Sequence, residues 1–383
     1  MKVAVVGPAP PWPGGIAAHT AGLASALVEA GHRVEILSFR RLYPPGVRKA
    51  PAREGQGAAI IDTLDPRTWR AAAKWLERGK FERVVVEWWH PVLGGAVELA
   101  LRAVEPERVV MVVHNVVPHE RLPASKVLLR RTAARAGRLL AHSRFVARQV
   151  SVATGGRRAE VVEMPVLFPV ERAAAMAASE ARRRLGLGPA RTTVGALGLI
   201  RPYKGIDVLV DAWRKVPRRS GARLLIAGEA CSRWALARAL AGRRPRGLDV
   251  IPRYLGEDEL VAAVAACDAV VFAHRRASQS GMLPAVRALG IPVVVSAAGG
   301  LPDQLRGEGW FRLVRPERPR ELAAAIESAL AVGGWRAAAS TEELWERARQ
   351  ARQRSWGELV RACLRVEGGC RASRQTESGF ENA

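Results

Sequence analysis

Short apolar runs recur along the chain, each closed by a Gly- or Pro-bearing turn and followed by a longer small-residue or amphipathic segment. The first is "VAVVG" (residues 3–7), followed by the loop "PAPPWPGG" and the segment "IAAHTAGLASALVEAG". A second run, "RVEILSF" (33–39), completes a strand–loop–helix–strand unit, the signature of a parallel sheet with crossover helices. Further buried-strand patterns stand at "RVVVEWW" (83–89), "VVMVVHN" (109–115) and "RLLAHS" (138–143), with helical periodicity between them. Each run is only a few residues long and rich in valine, as strands covered on both faces are.

The pattern breaks between Pro165 and Pro189, where "MPVLFPV" leads into an Ala/Arg segment and then "GLGP"; this predicts a linker. The alternation then restarts. Strands are expected at "TTVGALGLI", "ARLLIAG", "LDVIP", "AVVFAH" and "IPVVVSA", and helices at "KGIDVLVDAWRKV", "SRWALARALAG", "EDELVAAVAACD" and "GMLPAVRALG". The expected architecture is α/β: two Rossmann-like domains with a cleft between the C-terminal edges of their sheets, where open parallel sheets take ligands. Domain one is assigned 1–170 and domain two 185–350. The polar end, 367–383, has the composition of a disordered tail. A chain of 383 residues fits this two-domain division.

The apolar runs are too short to span a bilayer, which takes about twenty residues. The N-terminal run has one lysine before it and no small-residue cleavage site, so it is assigned to a strand rather than to a signal peptide. Cys231, Cys267, Cys363 and Cys370 form no CxxC pair, which points to neither zinc nor a disulfide framework and suits a cytoplasmic protein. The formal charge of +24 changes the picture more, because it favours phosphate-bearing partners. Arginine supplies 53 of the 60 basic residues, a bias that heat adaptation or genome composition would also produce. From Arg121 to Val150 there are eight basic residues and no acidic one, which suits either solvent or an anionic membrane surface. Nucleic acid is the less favoured partner, since aromatics are 5% and no nucleic-acid-binding motif is present.

Four constellations carry candidate chemistry. Gly14 and Gly15 follow the first strand, where glycine lets backbone N–H groups approach an anion or simply makes a tight turn. In "GLIRPYKGID", Arg201 and Lys204 bracket a turn at a strand end, placed to hold a diphosphate or to sit as a solvated basic turn. In "RRASQSGMLPAVRALGIPVV", Ser280 is positioned as an N-cap, with the N–H groups of Gly281, Met282 and Leu283 available to an anion; an ordinary capped helix would look the same. In "EWWHP" and "HNVVPHE", Glu87, Trp88, Trp89, His90, His114, Asn115, His119 and Glu120 gather at strand ends. Alternation allows at most one of Trp88 and Trp89 to line a cleft. Pro118 and the spacing rule out a helical HExxH metal motif, and no Asp-x-Asp occurs.

These features, with "DELVAAVAACDAVVFAH" and "GIPVVVSAAGGLPD" in the same order, resemble the family-4 glycosyltransferases over nearly the whole chain to about Val366. "HNVVPHE" and "ASQSGML" are similar to strings in one branch of that family. The resemblance implies the GT-B fold and retaining, metal-independent transfer of the hexosyltransferase type. The nucleotide-diphosphate-sugar donor would sit on the second domain and a glycan or lipid-linked acceptor on the first. It gives Lys204 the donor phosphate, with Arg201 the candidate substitute for the family's arginine, whose place Leu199 takes; it gives His114 the transferring sugar and Gly15 the phosphate loop, and Ser280, Gly281 and Met282 are candidates for further donor contacts. Gly14, Trp89, His90 and Asn115 fall to the acceptor side, and "QRSWGEL" resembles the closing helix, at about 351–366, that returns to the first domain. No cofactor is implied, and the implied location is the cytoplasm, peripheral at the inner membrane face.

The departure is at Ala277 and Ala285, where the family carries two glutamates; Ser278, Gln279 and Ser280 are candidate substitutes. A catalytically degenerate sugar-nucleotide-binding or scaffold protein is the alternative reading.

Overall fold

A computed structural model describes residues 1–42, 57–116, 125–217, 221–230, 232, 237, 240, 245–305, 309–337 and 339–365. The tail assigned to 367–383, His119 and Glu120, and most of the "SRWALARALAG" segment lie outside the described residues.

The first sheet is built from β1 (Lys2–Val6), β2 (Arg33–Arg41), β3 (Ala58–Asp62), β4 (Arg83–Trp88), β5 (Val109–Val113), β6 (Arg138–Ala141) and β7 (Glu160–Val161). Their spatial order is β3-β2-β1-β4-β5-β6-β7, and every pairing is parallel. Helices α1 (Gly15–Glu29), α2 (Pro66–Gly79), α3 (Gly94–Leu101), α4 (Ser125–Ala133) and α5 (Arg144–Thr154) make the crossovers. Val5 faces Ile36 on one side and Val85 on the other, so the chain reverses its direction of winding between β1 and β4.

The second sheet repeats the plan. It contains β8 (Thr192–Leu197), β9 (Ala222–Ala227), β10 (Leu248–Ile251), β11 (Ala269–Phe272), β12 (Val293–Ser296) and β13 (Phe311–Val314), in the order β10-β9-β8-β11-β12-β13, again parallel. Around it lie α6 (Ala178–Arg184), α7 (Ile206–Trp213), α8 (Glu257–Ala265), α9 (Met282–Ala288), α10 (Pro319–Ala331) and α11 (Thr341–Leu364). Both sheets therefore have the doubly wound Rossmann order, with switch points at β1/β4 and β8/β11, where such sheets open a crevice at their carboxyl ends. β4 and β5 are buried at every position, which explains their near-continuous apolar sequence.

Two boundaries differ from the sequence expectation. From Val166 onward, through Val170 and Ala181, the chain packs into the core of the second sheet, so the handover precedes residue 170. The closing helix begins at Thr341, not near residue 351, behind a Ser340/Glu343 capping box. Its first turns (Leu344, Ala348) pack on the second core, and its last (Trp356, Leu359, Cys363) on the first. Gly22 makes that docking possible: a β-carbon there would lie 2.2 Å from Trp356 Cζ2. The buried Glu171 carboxylate accepts from Arg352 Nη2 at 2.6 Å and ties the linker to this helix.

Candidate functional site

The wall contributed by the second sheet begins where β8 ends. Gly198 takes a left-handed φ of 102°, and a β-carbon there would stand 3.9 Å from Met282 Cγ, so the "GLIRPYKG" turn lies against the start of α9. Gly205 (φ 66°) closes the turn with no room for a side chain, because a β-carbon would meet the Ala273 carbonyl oxygen at 2.1 Å. Between these glycines stand Arg201 and Lys204, both half-buried. Neither makes an ion pair among the described residues; the Lys204 ammonium has only the Tyr203 ring, 5.9 Å away. Burial, with the Arg201 charge beside it, pushes Lys204 down to about 8. Two neighbouring cations without a counter-ion in a partly desolvated crevice are poised for an anion.

The arginine that opens the signature stretch is not available for that purpose. Arg275 grips Asp207 in the first turn of α7 through two bonds, 2.8 and 2.6 Å, and also donates to Glu317 at 2.8 Å. The carboxylates missing near Arg275 in sequence are thus supplied by distant elements.

At α9 the cap expectation is corrected. Gly281, not Ser280, is the N-cap, and no side chain caps the helix. Ser280 is buried; its N–H donates to Gln304 Oε1 at 2.7 Å and its carbonyl accepts from Gln304 Nε2 at 3.0 Å. Its backbone donor is therefore spent on the fold, while Gly281 and Met282 remain at an uncapped helix start. Ala277 (5% exposed) and Ala285 (0%) both lie in the second core, so neither place could accept a carboxylate without burying it in apolar surroundings.

The facing wall is made by the first sheet. Trp12 anchors the Pro/Gly loop, its Nε1 donating to the Phe39 carbonyl at 2.7 Å. Gly14, with φ 117°, starts α1 with no capping side chain, and β-carbons at Gly14 or Gly15 would meet nothing within 4 Å. Trp88 is core, and Trp89 is the half-buried partner, edge-on to Phe39 at 5.8 Å. His90 is occupied locally: its Nδ1 accepts from Val92 N–H at 3.2 Å and caps the turn at Pro91–Leu93.

At the ends of β4 and β5 lies a network that no sequence spacing announced. Glu87 (1% exposed) accepts from His114 Nε2 at 2.5 Å and from His19 Nδ1 at 2.9 Å. His142, at the end of β6, donates from Nδ1 to the Val162 carbonyl at 3.0 Å. Burial opposes ionisation of Glu87, but the His19 and His114 rings outweigh it and hold the carboxylate well below its usual range. Burial likewise pushes His114 and His142 down. His19 and His142 passed unnoticed in the sequence because they come from a helix and a third strand end; only the fold joins them.

The two walls touch. Ser278 Oγ donates to Asn115 Oδ1 at 2.6 Å, Ser143 Oγ to the Ser278 carbonyl at 3.1 Å, and Phe145 N–H to Asp303 Oδ2 at 3.1 Å. Gln279 Nε2 approaches His114 Nδ1 at 3.5 Å, the outer limit of a hydrogen bond. The structure thus brings His114, Asn115, Ser278 and Gln279 together across the cleft, with Arg201 and Lys204 at the adjoining strand end.

Residues 13–166 match the family model described as Glycosyltransferase Family 4, and residues 191–331 match the one described as Glycosyl transferases group 1. A D-inositol 3-phosphate glycosyltransferase of Actinosynnema mirum is 29% identical over 248 residues, 62% of this chain and 58% of that protein. A GDP-mannose:glycolipid 4-beta-D-mannosyltransferase of Xanthomonas campestris pv. campestris is 28% identical over 31% of this chain and 35% of that protein. The chain spans 58% and 38% of the length of the first two curated relatives. Among solved structures, sucrose-phosphate synthase from Thermosynechococcus elongatus superposes with a TM-score of 0.70 at 17% identity, covering 94% of this chain and 98% of that one. Anabaena HepE in complex with UDP-glucose gives 0.64 at 15%, covering 95% and 97%. With a glycosyltransferase model matched on each domain and the two-domain architecture shared from end to end, the chain belongs to the glycosyltransferases of the GT-B fold.

Proposed function

We propose that the protein moves a hexosyl group from a nucleoside-diphosphate sugar to a glycan or lipid-linked glycan, with retention at the anomeric carbon and no metal on the diphosphate. The observation that carries this reading is the pair of cations, Arg201 and Lys204, that have no counter-ion among the described residues, at the end of β8 beside the uncapped start of α9. Diphosphate oxygens held there accept charge-assisted hydrogen bonds, each contributing about 1.5–3 kcal/mol. Charge grows on those oxygens as the bond from the anomeric carbon to the leaving phosphate breaks, so the same groups favour the transition state. The acceptor hydroxyl attacks the face the diphosphate leaves, and its proton passes to a phosphate oxygen. No carboxylate is needed for that balance, which is how Ala277 and Ala285 are compatible with turnover. His114, directed at Gln279 across the cleft, is placed to meet the transferring sugar once the donor displaces that contact.

A lipid-linked acceptor is supported by α4 and α5, where Lys126, Val127, Arg130, Arg144 and Arg148 are exposed. Part of the basic run is committed elsewhere: Arg131 pairs with Glu98 at 3.1 Å and Arg138 with Glu160 at 2.5 Å. Among the described residues no helix is long and apolar enough to cross a membrane. Vesicles containing anionic lipid should retain the protein at low salt and release it at high salt; no retention at low salt ends the membrane part.

A binding-only role is the second reading, favoured by the buried alanines at the two glutamate positions. The experiment that separates them presents UDP-, GDP- and ADP-sugars with extracted lipid acceptors and measures free nucleoside diphosphate. Acceptor-dependent release supports transfer; saturable donor binding without release supports the binding-only role.

A further inference from the structure

His19, His114 and His142 come from α1 and from the ends of β5 and β6, and their rings meet inside the first domain. One nitrogen from each ring lies within 4.8 Å of one from each of the other two. The ring centroids are 4.7, 5.0 and 5.2 Å apart. Three imidazoles on one tetrahedral zinc, with bonds of about 2.0–2.1 Å, have centroids about 5 Å apart, so the rings already stand at the required separation. What remains is a turn of the rings to bring their nitrogens in.

The hydrogen bonds leave the right atoms free. His19 gives its Nδ1–H to Glu87, and His142 gives its Nδ1–H to the Val162 carbonyl. In its neutral form each therefore presents a lone pair at Nε2, and among the described residues neither buried Nε2 atom has a hydrogen-bond partner. His114 gives Nε2–H to Glu87 and keeps its lone pair at Nδ1, with only the 3.5 Å contact to Gln279. A ring that donates one N–H to a carboxylate or carbonyl and offers the other nitrogen is the arrangement by which metal-ligating histidines are oriented. The rings are 0%, 2% and 2% exposed, so two unpartnered lone pairs in this interior carry a desolvation cost that a ligand would remove. Glu87 supplies a negative charge beside the site, offsetting that of a divalent cation. A cavity of about 480 Å³ between the domains has His142 in its lining, together with Met164 and Gln304.

We propose that His19, His114 and His142 form a binding site for a zinc-class divalent cation, with Glu87 and the Val162 carbonyl as the outer groups that aim the ligands. All-imidazole ligation suits zinc, cobalt, nickel or copper rather than magnesium or calcium. Occupancy takes the free nitrogen of His114, so the bound metal suppresses transfer. That consequence rests on the function proposed above, whereas the site does not.

The test uses untagged full-length protein stripped with chelator. Cobalt(II) is added, visible absorption is followed, and zinc retained after gel filtration is measured. The expected result is about one equivalent bound, with the intense visible bands of a tetrahedral cobalt centre that zinc abolishes. Glu87→Gln should weaken binding about 10–100-fold, and His142→Gln more, with unfolding of the stripped variants checked by thermal melt. Absence of those bands in the wild type overturns the site even if the variants fail to fold. Unchanged binding in a folded His142→Gln protein overturns it as well. Metal binding that leaves nucleotide release untouched, in wild type shown to be active, removes the inhibitory consequence and keeps the site.

Discussion

The two walls of the cleft are built on the same strand order and hold their polar groups in opposite ways. On the first domain, Glu87 accepts from both His19 and His114 in a buried network. On the second, Arg201 and Lys204 stand beside each other with no acidic partner among the described residues, while the neighbouring Arg275 is neutralised by Asp207 and Glu317. The difference teaches where binding energy and chemistry reside. An unpaired, partly desolvated pair of cations is a cost to the free protein that an anionic ligand repays. The buried network instead ties His114 to Glu87 and so fixes the orientation of that one side chain.

The sharpest way to break this comparison is His114→Ala. If the first wall contributes chemistry and the second binding, turnover falls by about 10²–10³ while affinity for the nucleoside diphosphate stays within a few-fold. Single-turnover transfer and equilibrium titration of the same preparation read the two quantities separately. Wild-type turnover in the variant would remove His114 from the reaction, and an equal fall in both would erase the distinction between the walls. The complementary change is Lys204→Ala. Loss of one charge-assisted contact of about 1.5–3 kcal/mol weakens diphosphate binding roughly 10–150-fold. Unchanged affinity, measured by calorimetry, would move the phosphate site elsewhere.

The depressed Lys204 gives the comparison a pH signature. The bound anion favours the charged amine, which in the free protein is lost as pH rises through about 8. Affinity is therefore level below that pH and declines above it, by up to about tenfold per pH unit until the bound-state value is reached. Binding above pH 8 must take up a proton, so the calorimetric heat will depend on the buffer's ionisation enthalpy. Lys204→Arg keeps its charge throughout and flattens the profile. A wild-type profile flat from pH 7 to 9.5 would show that this amine does not meet the ligand.

Much of the fold was legible because strands buried on both faces leave continuous valine-rich runs, as in β4, β5 and β12. The sheet margins were not. β3 and β7 have exposed positions, and β13 is exposed at three of its four residues, so none carries a continuous apolar pattern. The candidate site divides in the same way. Arg201 and Lys204 lie within one turn, and local spacing displays them. The His19–Glu87–His114–His142 cluster is assembled from positions as far apart as 68 residues along one bond, and only the parallel topology, which gathers strand ends at one edge, brings it together. Ser280 misled for a related reason: its sequence position suits a cap, but Gln304, 24 residues on, claims its backbone.

The smallest expected effect concerns the contact between the walls. Ser278 Oγ reaches Asn115 Oδ1 at 2.6 Å across the cleft, a neutral bond of the kind worth about 0.5–1.5 kcal/mol net. If closure over the donor uses it, Ser278→Ala raises the donor KM about two- to tenfold and leaves the thermal midpoint nearly unchanged, because both groups regain water when the cleft opens. Asn115→Ala should do the same, and the double variant should cost no more than either alone, since both remove one interaction. Additive losses would mean that Ser278 and Asn115 touch the ligand separately, one from each wall. The line between a binding wall and a chemical wall would then run through these two residues rather than between the domains.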